Sequence, residues 1–318
     1  MIPLYRVVRA ELFKAVRKRR SYVLAGLWWV LLPAVTLIIA RVVQVNVGGS
    51  FVDETGTTVA TLLQELASPY GLARIALTGP AFLSPSYYVI VVALLAAVFV
   101  GEEKSLNMWK TTLVAQPSRL AVIWGKIVAM MIVLAVLMAG AALFGVLAGA
   151  AATTFLPTTF AGAWGELAGL YAQQWAHLAT LALFASLLIF LVRNVALGIV
   201  MTFFLPALLE GIYTVWRATV GFQPLNRFNA VFQALELQRT LENLPRWFLT
   251  DNLYLPARVP ARRLIDLFGA EAADLQDSPL AGLFGSGLTL THAAWAMTLY
   301  AVLFGALLTW LFVRRDVD

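Results

Sequence analysis

Few side chains in this sequence could take part in chemistry, and most of them sit inside apolar runs. Gln173, Gln174 and His177 lie close together in one such run, Glu210 lies in the next, and His292 stands near the start of the last. Gln173 and His177 are four residues apart, which puts them on one face if the run is helical. Amides, an imidazole and a carboxylate could line a path for a polar solute or hold helices together by hydrogen bonds. Other chemistry has no residues to carry it. The chain has no cysteine, so disulfides, thiolate metal sites and cysteine nucleophiles are excluded. It has no G-x-x-x-x-G-K-[ST] phosphate loop: Gly125–Lys126 lacks the upstream glycine and the following hydroxyl residue. H-E-x-x-H and G-x-S-x-G are absent too. The two histidines, His177 and His292, differ in expected depth by about 10 Å at 1.5 Å per helical residue, too far to share a metal or haem. No enzyme site of the chain's own is expected, and no cofactor bound by it.

The elements that carry these residues are set by composition. Of 318 residues, 61% are hydrophobic and 13% charged, where a soluble domain has about half and about a quarter. The apolar residues fall in blocks of about the 20 residues that cross a bilayer. The expected fold class is an all-α integral membrane protein with six transmembrane helices, near 22–42, 83–101, 120–151, 168–192, 195–216 and 289–312. The third is longer than a bilayer requires, and the fourth and fifth are joined by a tight turn at Arg193–Asn194. Pro33 and Pro206 are expected to kink the first and fifth, and Gly145 and Gly149 have the G-x-x-x-G spacing that lets another helix approach closely. Trp164, Trp216 and Trp310 fall near span ends, as interfacial tryptophans do.

Orientation follows from Lys and Arg. With both termini in the cytoplasm, most of the 23 basic residues fall inside, from Arg6 to Arg20 and then at Lys104, Lys110, Arg119, Lys126, Arg193, Arg314 and Arg315. The net charge of +6 is thereby explained by membrane topology, and no nucleic-acid partner is expected. The expected location is the cytoplasmic membrane, multi-pass.

Residues 1–21 form the first unit and 22–318 a six-span domain. In the first, Tyr5, Val8, Leu12 and Val16 share one helical face and Arg6, Arg9, Lys14 and Arg17 another, which predicts an interfacial amphipathic helix with its basic face toward anionic headgroups. Two outer segments are substantial: 44–82, with a helix expected near 57–67, and 217–288, whose aromatic and leucine content predicts a packed helical cap between spans five and six. The tight turn makes spans four and five antiparallel neighbours. Gln173, Gln174, His177 and Glu210 could then meet at similar depth in the outer part of the membrane. Two readings stay open: a translocation path lined by Gln173, His177 and Glu210, or a structural hydrogen-bond cluster.

The segment after the second apolar run is more patterned than a loop requires. "GEEKSLNMWKTTLVAQPSR" places Glu102 and Glu103 at the cytoplasmic end of the run. Residues 104–114 can form a short amphipathic helix with Leu106, Met108, Trp109, Leu113 and Val114 as its apolar members. Pro117 ends it, and Arg119 and Lys126 flank the entry to the third span. Acidic residues at its start complement the helix dipole.

This segment resembles the permease subunit of an ABC-2 type transporter. The family pattern is an acidic residue ending the second span, a short "G-T-[LW]-[KR]"-like helix, a "P-[VT]-S-R" turn and a lysine in the next span. Glu102 or Glu103, Trp109, Lys110, Leu113, Pro117, Ser118, Arg119 and Lys126 match it; Asn107–Met108 replace the usual small pair before Trp109. The plan of a basic amphipathic N-terminal helix, six spans and a large outer segment between the last two is similar as well. The resemblance implies a half-transporter. A second permease copy, a homodimer, would pair with it, and separate ATP-binding cassette ATPase subunits, holding ATP and Mg, would dock beneath. The coupling segment, 102–119, would engage the ATPase through Glu102, Glu103, Trp109, Lys110, Thr111, Leu113, Pro117 and Arg119. The implied activity is ATP-driven export by alternating access. An outer accessory protein would find its surface on the cap. Two other readings remain: an ATPase-coupled component that performs a mechanical or signalling task, and an ion-coupled secondary transporter, which would want ionisable groups nearer the bilayer midplane.

Overall fold

The computed structural model of the chain describes residues 2–47, 59–79, 87–102, 118–192, 194–219, 241, 243–256 and 288–314. Among these, every regular element is a helix. Helix α1 is Ile2–Arg17. After Lys18, a second helix runs without interruption through Arg19–Gly26, a π-helical segment Leu27–Leu31, and Leu32–Val47; together these are α2. Then come α3 (Val59–Ala67), α4 (Pro69–Thr78), and α5 (Tyr87–Ala96), which continues as a π-helical segment Ala97–Gly101. Helices α6 (Arg119–Ala152), α7 (Trp164–Val192) and α8 (Val195–Thr219) follow. A 3₁₀ turn Leu244–Trp247 and α9 (residues 249–256) precede α10 (Leu290–Arg314).

Five of these helices are long and apolar enough to cross a membrane, within α2, α6, α7, α8 and α10. The chain is therefore an all-α protein built for a bilayer. The helix at the expected second span, Tyr87–Gly101, is apolar but shorter than the roughly 17 residues that a span needs; residues 83–86 of that expected span lie outside the described residues, and five candidate spans stand among those described. The expected start of the fourth helix at 168 also moves, to Trp164.

Burial ranks the helices. In α7, 72% of the apolar window is buried; in α8 the figure is 11%. Helix α7 is the axis, packed by α5, α6, α8 and α10. Helix α8 turns Leu197, Val200, Phe204, Leu208 and Ile212 outward, the surface that an apolar solvent would cover. Asn194 caps α8, its Oδ1 accepting from Leu197 N at 3.1 Å; Arg193 lies outside the described residues.

The segment 44–82, expected on the outer side, holds the expected helix, as α3, and one that was not expected. Helix α4 turns back into the bundle and is buried except at Ile75. Its ends are written in sequence: Ser68 accepts from Gly71 N at 3.0 Å as the N-cap, Pro69 takes the first position, and Gly79 stops the helix at φ 80°, a conformation that glycine adopts freely. The G-x-x-x-G pair of α6 is its seat. A Cβ at Gly149 would stand 2.4 Å from Pro69 Cα, and one at Gly145 2.9 Å from Ala73 Cα, so the close approach at this pair is made to α4. The carbonyls at its end are satisfied from two helices. Trp28 Nε1 donates to Ala76 O at 3.1 Å, and Tyr88 Oη donates to Ile75 O and Ala76 O, each at 2.9 Å. Buried backbone polar groups require such partners where water is absent.

Candidate functional site

Charged groups gather at one end of the bundle. Helix α1 crosses α6 at Gly125–Lys126, the pair that fails as a phosphate loop. The absence of a Cβ at Gly125 is what admits α1: one built there would stand 2.5 Å from Val7 Cγ1. Next to it, Lys126 Nζ donates to Glu11 Oε1 at 2.8 Å, and Lys14 Nζ donates to the same oxygen at 2.9 Å. The Lys126 side chain is wholly buried and that of Glu11 is 6% exposed. Two buried charges pair because either one alone in this setting would carry a large desolvation cost.

This corrects the expected face of α1. Tyr5 and Val16 are exposed, while Glu11 and Ala15 are buried and Val8 and Leu12 pack against the core. Two of the four apolar residues thus face the bundle, and the element that decides the orientation is an acid. Helix α1 is docked on α6, with Val8, Glu11, Leu12 and Ala15 turned to the bundle and Tyr5 and Val16 turned away.

The second charged knot ties the link between α1 and α2 to the end of α5. Lys18 Nζ donates to Glu102 Oε2 at 2.5 Å, and Arg20 donates to Glu102 Oε1. Lys18 also reaches Val98 O at 3.4 Å. On the far side, Ser118 caps α6 by accepting from Ala121 N at 3.4 Å, and Arg119 donates to Val313 O at 2.9 Å, joining the start of α6 to the end of α10. Glu102 and Ser118–Arg119 are thus two anchored points at the same end. Glu103, Trp109, Lys110, Thr111, Leu113 and Pro117 lie outside the described residues, as does the predicted helix 104–114.

The polar residues predicted to meet in spans four and five have separate partners. Glu210 accepts from Thr250 N at 3.1 Å and from Thr250 Oγ1. His177 Nδ1 hydrogen-bonds Gln173 O, one turn back on its own helix, at 2.7 Å. Among the described residues no hydrogen bond links His177 with Glu210. Gln174 joins His177 in the interior, the two being 3% and 1% exposed, and among the described residues Gln174 Oε1 and His177 Nε2 have no hydrogen-bond partner. Glu210 instead belongs to the end of the bundle away from Glu102, where residues 241 and 243–256 are stitched across α8 and α10. Tyr213 donates to Leu241 O, Tyr300 donates to Trp247 O, and His292 Nε2 hydrogen-bonds Arg246 O at 2.9 Å. His292 also packs against the Trp247 ring, with centroids 4.9 Å apart. The two histidines are therefore differently employed. Among the described residues no group of three or more His, Asp or Glu is placed to hold a metal ion.

Glu11, Lys14 and Lys18 were not singled out for these contacts by sequence reasoning. The signal was present: Lys126 stands seven residues inside an otherwise apolar helix, where a cation needs a named counterion. The only acid in α1 is Glu11.

No protein-family model matches the chain, and no curated protein matches it. What is established is the architecture: a helical chain with several helices long and apolar enough to span a membrane.

Proposed function

We propose that this chain is the membrane-spanning permease subunit of an ATP-driven ABC-2 type exporter, paired with a second copy and with separate ATP-binding cassette subunits. The residue pattern from Glu102 to Lys126 supports the family. The observation that carries the mechanism is the double anchoring of segment 103–117: Glu102 to Lys18 and Arg20 at one side, Ser118–Arg119 to α6 and Val313 O at the other.

A force applied to that segment has two routes into the bundle. One runs through Glu102 into α5 and, by Lys18 and Arg20, into α1 and α2. The other runs through Arg119 into α6 and α10. Rigid helices carry such displacements along their length, and buried pairs such as Glu11–Lys126 keep α1 and α6 moving together. In this reading the ATPase pushes on 103–117, α1 follows because it is docked on α6, and the spans change their packing. ATP and Mg belong to the partner, and the chain itself performs no covalent chemistry. The charged end faces the cytoplasm of the cell's cytoplasmic membrane.

The test is affinity purification of the full chain from its native membrane, with composition read by mass spectrometry and stoichiometry by light scattering. An ATP-binding cassette protein retained at one copy per chain, and lost on Trp109→Ala, is the expected result. A chain that purifies with no nucleotide-binding partner overturns the proposal. If the complex forms but ATP drives no export from loaded vesicles, the mechanical reading takes its place.

A further inference from the structure

We propose that a cleft at the charged end is a binding site for one acyl chain of an anionic phospholipid, whose phosphate is held by Arg20. The cleft has a volume of about 520 Å³ and lies between α2, α5 and α8. Leu24 and Leu27 form one wall, Leu94 and Val98 the second, Val195 and Ile199 the third; Arg20 and Glu102 are its charged members. Val23, which also lines it, is 61% exposed.

Size selects the occupant. The volume lies in the usual range for a small-molecule site, roughly 300–1,000 Å³. A single flexible chain fits a space of this size. The apolar walls belong to helices that also expose Val30, Leu31, Val35, Leu197, Val200 and Phe204, so the occupant arrives from the bilayer.

Charge selects the headgroup. Lys18 and Arg20 both pair with Glu102, so this described cluster sets two cations against one carboxylate. The two partners of Glu102 are unequal: the Arg20 side chain is 72% exposed and that of Lys18 33%. Lys18 can therefore hold Glu102 while Arg20 turns to a phosphate, which a guanidinium binds in a bidentate fork. Basic residues near a bilayer surface each favour anionic lipid by about 1 kcal/mol.

The walls have a shared irregularity. Leu27 opens the π-helical segment of α2 and Ala97 opens that of α5, and both residues line the cleft. Such bulges cluster at functional sites because the widened turn reshapes the surface beside it. Two of them on facing walls of one cleft argue for a selected shape. The inference rests on the membrane architecture and not on any ATPase, so it can fail or stand independently of the proposed function.

The test uses the full chain purified in detergent and exposed to equal amounts of phosphatidylglycerol and phosphatidylcholine of the same chain length, with bound lipid counted by native mass spectrometry. Retention of phosphatidylglycerol about fivefold over phosphatidylcholine is expected, from one charge-assisted contact. Arg20→Gln should abolish that preference, Arg20→Lys should keep most of it, and Ala97→Phe, which fills the cleft, should reduce retention of both lipids. Glycerol phosphate, which has the headgroup without the chain, should not compete at the same concentration. Equal retention of the two lipids by the wild type overturns the proposal, as does an Arg20→Gln protein with unchanged preference. Should a Val23→Cys chain form a disulfide dimer that excludes lipid, the occupant is a second copy and the proposal is also overturned. Thermal unfolding of each variant without added lipid separates loss of the site from loss of the fold.

Discussion

Lys126 Nζ and Glu11 Oε1 lie 2.8 Å apart although 115 residues separate them in sequence. The pair fixes the N-terminal helix on α6, and it is asymmetric. Glu11 also accepts from Lys14, whereas the Lys126 side chain is wholly buried.

That asymmetry predicts unequal mutants. Glu11→Leu removes the carboxylate that the buried ammonium donates to, and it should destabilise by about 3–5 kcal/mol. Lys126→Met leaves Glu11 with Lys14, so it should cost clearly less. The double variant should recover much of the loss of Glu11→Leu. Unfolding midpoints in detergent across the four proteins would check the order, and a more damaging Lys126→Met would refute it.

The seat of α4 gives a second prediction. Gly149→Ala places a methyl group 2.4 Å from Pro69 Cα, where backbone must move; overpacking of this kind costs about 1–3 kcal/mol. Gly169→Ala on α7 meets nothing within 4 Å and should be neutral or slightly stabilising, since alanine is the better helix former. Thermal stability of the two proteins compared side by side decides it.

Ala76 O has two donors, Trp28 Nε1 and Tyr88 Oη. Tyr88→Phe alone should be mild, about 1 kcal/mol, because Trp28 still serves the carbonyl. Combining Tyr88→Phe with Trp28→Phe should cost more than the sum of the two, by about 1 kcal/mol, since buried carbonyls then lose both side-chain donors. Additive losses in a double-mutant cycle would show that the end of α4 is satisfied in another way.

Glu102 is gripped by two cations from the α1–α2 link. If the proposed function holds, Glu102→Lys should leave membrane insertion unchanged while lowering ATP-coupled transport several-fold, because the knot becomes three like charges. Pairing it with Lys18→Glu should restore a large part of the coupling. The readout is transport per ATP hydrolysed in reconstituted vesicles; equal coupling in wild type and Glu102→Lys would leave Glu102 only the dipole-complementing role at the start of the following segment.

At the end of the bundle away from Glu102, Glu210→Ala should free Thr250 N and loosen residues 243–256, seen as faster amide exchange there, whereas His177→Ala should leave that exchange unchanged. The hydrogen bonds place the two side chains in different local structures. Equal effects would return them to a shared site.

Much of this protein is determined by the sequence alone. Apolar blocks of bilayer length leave the backbone no option but helix, because no water is present to satisfy its polar groups. The helices near 22–42, 120–151, 195–216 and 289–312 follow from that, as do α3 and the close-approach glycines of α6. Tertiary structure decided what the periodicity left open. A helical repeat tells which residues share a face, but not which face finds a partner. The row Tyr5–Val8–Leu12–Val16 therefore divided once Glu11 met Lys126 through a gap made by Gly125. Ser68, Pro69 and Gly79 spell the ends of a helix. Only its fit against Gly145 and Gly149, with Trp28 and Tyr88 ready to take its carbonyls, folds that helix back into the bundle. Similar predicted depth suggested that His177 and Glu210 would meet. Depth is one coordinate, and the rotation of each helix about its axis, set by side-chain packing, gave one of them a backbone carbonyl and the other Thr250.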